Sequence, residues 1–142
     1  MLNTAMSQVS VNAFMQAEYR VQDDHNLLVL RVGHYSKPLQ DIHIRFGASS
    51  SAFITAYNPR SEIQSLQKNE TATQLLQQDL HATSYSSLPA TGRDTKSLWP
   101  DEPGFLVIGI SCKQALKLAE KYHQLAILFA DSHAIPQLEI IG

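Results

Sequence analysis

Three polar residues in the middle of the chain could hold an anion. They are Asn58, Arg60 and Ser61, and they follow the apolar run at residues 52–57. If a helix begins at Ser61, its free backbone N–H groups and its positive dipole end would favour an anion, which Arg60 could grip through two hydrogen bonds. The alternative is that Asn58 or Ser61 only caps the helix and Arg60 is solvated, because caps are far commoner than ligand sites.

A second polar stretch, residues 89–104, supplies charges and one large aromatic side chain. Its candidate residues are Arg93, Asp94, Lys96, Trp99, Asp101 and Glu102. A structureless segment longer than about 12–15 residues is uncommon unless it is functional or disordered. Trp99 could therefore fold back onto the sheet and hold Glu102 close to Arg60 or Arg93. Alternatively Trp99 seals the core, and Glu102 is a structural ion-pair partner.

Other reactive side chains point less clearly to chemistry. Glu102 with Asp101 or Asp94 could serve acid–base catalysis or bind a metal, but no second acidic cluster supplies further ligands. Cys112, beside Lys113 at an expected helix start, could have a lowered thiol pKa. The six histidines include no pair at metal-binding spacing, and there is no phosphate-binding loop or dinucleotide fingerprint. We therefore expect no metal and no cofactor.

The first half of the chain predicts a hairpin, a short helix and a buried strand. Residues 17–21 and 27–32 are rich in apolar residues and flank a polar cluster, as in a β-hairpin. Pro38 and Gly47 suit the first turn and the end of a helix, although Ile42, Ile44 and Phe46 also alternate like a strand. Residues 52–57 form a short apolar run that ends at Asn-Pro, which indicates a buried strand.

The second half predicts two amphipathic helices among four strands. Ser61 and Gln64 have capping-box spacing, which predicts a helix from Ser61 to about Leu80, and Ser111 with Gln114 repeats that spacing before a second helix. The remaining strands are expected at residues 83–88, 105–110, 125–129 and 138–141.

The order of these elements predicts the fold class. From residue 52 it is strand, helix, strand, strand, helix, strand, which is a doubled split βαβ unit. The prediction is an α+β two-layer sandwich with a ferredoxin-like βαββαβ core, helices on one face, and an N-terminal β-hairpin and short helix. Residues 1–14 are expected to be a loose segment, and residues 15–142 a single domain.

Crossover handedness makes a spatial prediction about the two polar stretches. Each βαβ crossover is right-handed, so it decides which strand ends share an edge of the sheet. The exit of the strand at residues 52–57 and the segment at residues 89–104 should lie at one end. The turn at Ser111 should lie at the opposite end of the sheet.

Composition narrows the class of protein. The chain has 142 residues, 44% of them hydrophobic and 17% charged, which suits one domain with a real core. A net charge of -2 with scattered basic residues argues against a nucleic-acid partner. No run approaches the roughly 20 apolar residues that span a bilayer, so no membrane partner is expected. The first 14 residues contain no Lys or Arg, and Cys112 is the single cysteine, so we expect a cytoplasmic protein.

The same stretches resemble a bacterial family known as domain of unknown function 3293. The similarity lies in residues 53–59, Gly92, residues 99–103, 105–111, 115–119 and 124–129, and it would extend over about residues 19–141. The resemblance implies a single bacterial cytosolic domain and no assigned reaction or ligand. Members of that family often have Ser where this chain has Gly104, so no hydroxyl role is carried over.

The leading functional hypothesis is a non-catalytic cytosolic protein that binds a small anion or a protein partner. Its predicted site comprises Asn58, Arg60, Ser61, Arg93, Trp99 and Glu102. The first alternative is an enzyme for a small phosphorylated or carboxylated substrate, with Glu102 as acid or base and the arginines as charge stabilisers. The second is an assembly protein that forms a homodimer through a sheet face or edge.

Overall fold

In the computed structural model, which describes residues 8–141, one antiparallel sheet is flanked by helices. The helices are α1 (Gln8–Gln16), α2 (Lys37–Arg45), α3 (Leu66–His81) and α4 (Cys112–Lys121). The strands are β1 (Glu18–Asp23), β2 (Asn26–Leu30), β3 (Ser51–Thr55), β4 (Ser86–Arg93), β5 (Glu102–Ile108), β6 (Ala126–Ala130) and β7 (Gln137–Ile140). A short 3-10 turn, Pro59–Ser61, lies between β3 and α3.

The sheet extends beyond the four strands of the predicted core. The described strands form one seven-stranded sheet in the order β2-β1-β4-β5-β3-β6-β7, and every neighbouring pair is antiparallel. The predicted hairpin is confirmed, and it extends the sheet beside β4, while β7 extends it beside β6. The mixed α/β class is therefore confirmed, but the strand order is not that of a simple ferredoxin-like fold.

Two hydrophobic cores lie on opposite faces of this sheet because side chains alternate along each strand. Phe53 and Leu106 belong to one core, which Leu39 and Ile42 of α2 cover. The next residue, Ile54, belongs to the other core, which α3 and α4 cover. The prediction that all helices lie on one face is wrong, since α2 packs against the face opposite α3 and α4.

Local capping explains where three helices begin. The hydroxyl of Ser36 accepts a hydrogen bond from the Leu39 N–H, and that of Ser111 accepts one from the Gln114 N–H, so α2 and α4 begin as predicted. Helix α3 begins later than predicted, after Ser65, whose hydroxyl accepts from the Lys68 N–H. Ser61 is not a cap. Its φ is 57°, in the left-handed region.

The second polar stretch contains more regular structure than expected. Strand β4 extends to Arg93, with Pro89 paired to Phe105, so only residues 94–101 form the loop before β5. At the N-terminus, part of the predicted loose segment, residues 1–7, lies outside the described residues. From Gln8 to Gln16 the chain is helical, and the Tyr19 hydroxyl donates to the Phe14 carbonyl at 2.9 Å.

Candidate functional site

The two polar stretches meet at one end of the sheet, as the crossover argument predicted. Thr55 at the end of β3 pairs with Gly104 near the start of β5. Beyond this pair, the Asn58 side-chain amide donates to the Glu102 carboxylate at 3.0 Å. Ser111 follows the opposite end of β5, where Ile108 pairs with Ser51. The spatial prediction is confirmed.

A cavity of about 220 Å³ lies at this meeting point. It is bounded by α1 on one side and, on the other, by the sheet face that carries Phe53 and Tyr19. Its apolar boundary consists of Ala13, Phe14, Ala17, Tyr19, Phe53, Gly92, Pro100, Ala126, Ile127, Leu128 and Leu138. Its polar boundary consists of Thr55, Ser61, Arg93, Asp94, Trp99, Glu102 and Gln124. The site is therefore a mainly apolar pocket with polar groups near the ends of β3 and β4.

Glu102 is the main polar group of the cavity. Its Oε2 atom accepts hydrogen bonds from the Trp99 indole N–H at 2.8 Å and from the Asn58 amide at 3.0 Å. Burial raises the pKa of this carboxyl above its usual value, and the two N–H donors only partly oppose that effect. Both donors bind Oε2, no described residue donates to Oε1, and Glu102 as a whole is half-buried. The carboxyl is thus held by one oxygen and has the other available.

Asn58 positions Glu102. It is only 3% exposed, with φ of 46°. Its backbone N–H donates to Asn69 Oδ1 at 2.8 Å, and its own Oδ1 accepts from the Asn69 amide at 3.0 Å and from the Gln64 N–H at 3.1 Å. These bonds direct the Asn58 amide N–H toward Glu102. Asn69 was missed in the sequence, because a polar helix residue among other polar residues gives no sign of a long-range partner.

The other two residues of the first polar stretch separate in the structure. Ser61 borders the cavity. Arg60 is exposed outside it: its N–H donates to the His123 carbonyl at 2.7 Å, and its guanidinium lies 3.3 Å from His123 Nδ1. Because α3 begins only after Ser65, the helix N-terminus invoked for an anion at Ser61 is not present there.

Arg93 lies on the other side of the sheet from Glu102. Gly92 pairs with Glu102, and Arg93 pairs with Glu18, so strand alternation directs the Arg93 and Glu102 side chains to opposite faces. Arg93 accordingly borders a groove on the α3 side. It also borders the cavity. Within the described residues Glu102 forms no ion pair with either arginine, and its donors are the neutral Trp99 and Asn58 groups.

The aromatic side of the cavity was not predicted. The Tyr19 and Phe53 rings pack with centroids 5.3 Å apart and planes at 59°. Burial, and next the nearby charge of Glu102, raise the pKa of the Tyr19 hydroxyl well above its usual value. Both residues were identified only as strand positions, because the sequence does not show which face of a strand opens onto a cavity.

The remaining candidates are placed less favourably for chemistry. Asp94 caps its own loop by accepting from the Lys96 and Leu98 N–H groups. Asp101 is exposed and borders the groove on the α3 side. The prediction that the Cys112 thiol has a lowered pKa is wrong, since burial raises it. Among the described residues no group of three or more His, Cys, Asp or Glu side chains could hold a metal.

A side chain has no room at Gly104. An added Cβ would lie 2.3 Å from the Ile54 carbonyl oxygen and 2.9 Å from Thr55 Cα, because β3 and β5 approach closely there. In this chain the close backbone approach excludes a hydroxyl at that point without a shift of the strands.

The fold and the site define a mixed α/β protein with a small, mainly apolar cavity that contains one oriented carboxyl group. The family model described as "Protein of unknown function (DUF3293)" matches residues 54–127, slightly more than half of the chain. The chain belongs to this family. No curated protein and no solved structure matches it significantly. The matched region contains Asn58, Trp99 and Glu102. In the described part of the chain, no helix has the length and apolarity needed to cross a membrane.

Proposed function

We propose that this protein binds a small, largely apolar molecule that forms a hydrogen bond with Oε1 of Glu102. The observation that supports the proposal is the oriented carboxyl at the edge of an apolar cavity. A cavity with apolar walls and a few fixed polar groups is the usual form of a small-molecule site. The polar groups determine the orientation of the ligand, and the apolar walls supply most of its affinity.

The size of the cavity indicates a ligand with one ring or a short branched chain. An apolar cavity of about 150 Å³ is large enough to bind benzene. Drug-sized ligands occupy roughly 300–1,000 Å³. At about 220 Å³ this cavity suits a substituted ring.

The small anion proposed from the sequence is less well supported than a neutral or cationic ligand. Of the two arginines proposed to bind it, Arg60 lies outside the cavity and Arg93 is directed to the opposite face. The acidic residues Asp94 and Glu102 border the cavity together with Arg93, so acids outnumber bases there. A buried anion beside a carboxylate would be destabilised by like-charge repulsion.

The single tryptophan provides a direct test of small-molecule binding. The Trp99 indole N–H donates to Glu102 at the cavity. The NMR resonance of this indole N–H and the tryptophan fluorescence therefore report on the surroundings of Glu102. Titration with small aromatic probes, such as benzyl alcohol, benzylammonium and benzoate, should shift this resonance and raise the melting temperature. If no member of such a panel affects the resonance or the melting temperature, the proposal is wrong.

An enzyme remains a second candidate, supported by the state of Glu102. Burial raises its pKa, and two donors fix its orientation, which are features of general acids and bases. The substrate would be a small phosphorylated or carboxylated molecule, as predicted from the sequence. Turnover of p-nitrophenyl phosphate or p-nitrophenyl acetate that Glu102→Gln abolishes would support it. Equal turnover by wild type and Glu102→Gln would count against it.

We also infer that β3, α3, β4, β5, α4 and β6 form a ferredoxin-like core inside the larger sheet. The middle of the sheet has the order β4-β5-β3-β6, with two helices that pack on one face of these strands, as in a doubled split βαβ unit. The hairpin and β7 are then additions at the two edges. An experimental structure with a different order of these four strands would contradict this inference.

A cytosolic location and a protein or homodimer partner also remain proposals. The lone thiol of Cys112 suits a reducing compartment, and cell fractionation would test it. Strand β2 is an edge strand with Leu27 and Val29 more than 40% exposed on one face, which supports pairing between copies. Analytical ultracentrifugation tests this: a monomer at all concentrations would exclude the dimer.

A further inference from the structure

We propose that the ligand of this cavity is a small organic cation, an aryl- or alkylammonium whose charge pairs with Oε1 of Glu102. This inference rests on the proposed small-molecule function and identifies the chemical class of its ligand. It combines three separate observations: the charges that border the cavity, the aromatic rings that surround it, and the hydrogen bonding of the Glu102 carboxyl.

The charged groups favour a positive ligand. The ionisable side chains that border the cavity are Asp94, Glu102, Tyr19 and Arg93. Arg93 is directed to the opposite face by its pairing with Glu18, and the Tyr19 hydroxyl is neutral. Asp94 accepts two backbone N–H bonds in its own loop. Neither acid has a charged partner among the described residues, but both oxygens of Asp94 accept backbone N–H bonds, whereas Oε1 of Glu102 accepts none from these residues.

The cavity is rich in aromatic side chains. Phe14, Tyr19, Phe53 and Trp99 all border it. Tyr19 and Phe53 are packed with centroids 5.3 Å apart and tilted planes, so they form a continuous aromatic surface. The negative faces of aromatic rings attract ammonium groups, and this attraction is strongest when the cation is desolvated. An ammonium group can therefore be held by the rings and by the carboxylate together.

The hydrogen-bond donors to the Glu102 carboxyl are uncharged, and an ammonium group would add the positive charge and the donor to Oε1 that they do not supply. Trp99 and Asn58 both donate to Oε2, and neither neutralises its charge. A buried carboxylate without a cation is unfavourable, whereas a paired and hydrogen-bonded one is tolerated. A ligand ammonium that donates to Oε1 supplies the missing positive charge. A neutral ligand supplies only a hydrogen bond, and an anionic ligand adds repulsion.

Three probes with the same aromatic ring separate these cases. Benzylammonium, benzyl alcohol and benzoate are titrated at pH 7.5 while the Trp99 indole N–H resonance is followed by NMR and binding heat by calorimetry. We expect benzylammonium to bind about tenfold more tightly than benzyl alcohol, consistent with one desolvated cation contact, and benzoate to bind most weakly.

The outcomes distinguish the ligand class from the binding function itself. If benzyl alcohol binds as tightly as benzylammonium, or if benzoate binds most tightly, the organic-cation proposal is wrong while small-molecule binding stands. If none of the three shifts the indole resonance, both proposals are wrong.

A charge-removing variant gives a second, independent test. Glu102→Gln should abolish the roughly tenfold preference for benzylammonium over benzyl alcohol, and its far-UV circular dichroism and cooperative melting show that the variant is folded. Asp101→Asn removes an exposed acid one residue away and serves as the matched control, with both affinities kept. Unchanged benzylammonium binding by Glu102→Gln would overturn the proposal, as would an equal loss in Asp101→Asn.

Discussion

At the level of single residues, the site depends on a balance of forces on one carboxyl group. Two N–H donors stabilise the ionised form of Glu102, and burial destabilises it. Burial is the larger effect, so the pKa is raised in the folded protein. A group in this condition binds a proton, or a cation in its place, more readily than an exposed glutamate does.

The raised pKa of Glu102 predicts a pH-dependent loss of stability. The folded protein binds this proton more tightly than the unfolded chain, whose glutamate pKa is near 4.5. The stabilising contribution is therefore complete below pH 4.5 and is lost as the pH rises through the folded pKa. Glu102→Gln has no ionisable group at this position, so it does not lose this contribution as the pH rises. The difference in the free energy of unfolding, variant minus wild type, should therefore be larger at pH 7.5 than at pH 4.5. Urea unfolding measures this, with Asp101→Asn as control; a difference independent of pH would contradict it.

A buried histidine far from the cavity predicts the opposite pH dependence. His43 is 3% exposed, its Nε2 lies 2.7 Å from the Ser51 hydroxyl, and its Nδ1 has no partner. Burial lowers its pKa, although the nearby charge of Asp131 opposes the shift. The neutral form is therefore favoured in the folded state, and stability should fall as the pH is lowered through about 6.5, the unfolded pKa.

Substitution of this histidine should remove the acid sensitivity. His43→Gln should be less stable than wild type at pH 7.5, because it disturbs a buried hydrogen bond, but should lose less stability between pH 7.5 and pH 5.5. His25→Gln, in the exposed hairpin turn, is the control and should behave like wild type. Thermal melts at the two pH values test this. Equal acid sensitivity of His43→Gln and wild type would show that His43 is not the group responsible.

At the level of helices and strands, the sequence correctly predicted the elements that are determined by residues close together in the chain. Helix α2 was predicted from Pro38 and Gly47, α4 from the spacing of Ser111 and Gln114, and the hairpin from its apolar–polar–apolar pattern, and all three are present. The start of α3 was missed because Asn58, Arg60 and Ser61 adopt left-handed conformations that are unusual for residues other than glycine. The hydrogen bonds from Asn69 stabilise the turn at Asn58, and such long-range contacts leave no pattern in the sequence.

The candidate site could be predicted in part, where it depends on the order of the strands, and not where it depends on their register. The convergence of Asn58, Trp99 and Glu102 follows from the order of strands and the handedness of crossovers. The face to which Arg93 points does not, because it depends on the exact register of β4 against β5. A shift of one residue in register would have directed Arg93, rather than Gly92, to the face of Glu102.

The turn after β3 should depend strongly on one helix residue. Asn69→Ala removes the acceptor for the Asn58 and Gln64 N–H groups and the donor to Asn58 Oδ1. We expect a loss of roughly 2–3 kcal/mol in the free energy of unfolding, because buried polar groups are left unsatisfied. The Trp99 indole resonance should also move, since Asn58 no longer holds Glu102. Gln67→Ala, exposed on the same helix, is the control. A loss no larger than that of the control would contradict this account.

At the level of the whole molecule, one sheet separates two hydrophobic cores, of which one is packed and the other includes the cavity. The face covered by α3 and α4 is packed with small and branched residues. The face covered by α2 is packed at one end, and at the other it opens into the cavity under α1. Adjacent residues of β3 belong to different faces, so one side chain of this strand packs in the core under α3 and α4 while the next borders the cavity.

Adjacent truncations on β3 should separate stability from binding. Phe53→Ala and Ile54→Ala should each cost about 2–5 kcal/mol in the free energy of unfolding, since both side chains are buried. If residues 15–142 form a single domain, each variant should unfold in one transition that far-UV circular dichroism and Trp99 fluorescence report at the same urea concentration. Only Phe53→Ala should change the affinity for benzyl alcohol, because only Phe53 borders the cavity. Two separate transitions would contradict the single domain, and an equal change in affinity for Ile54→Ala would show that the binding site is not confined to the cavity face.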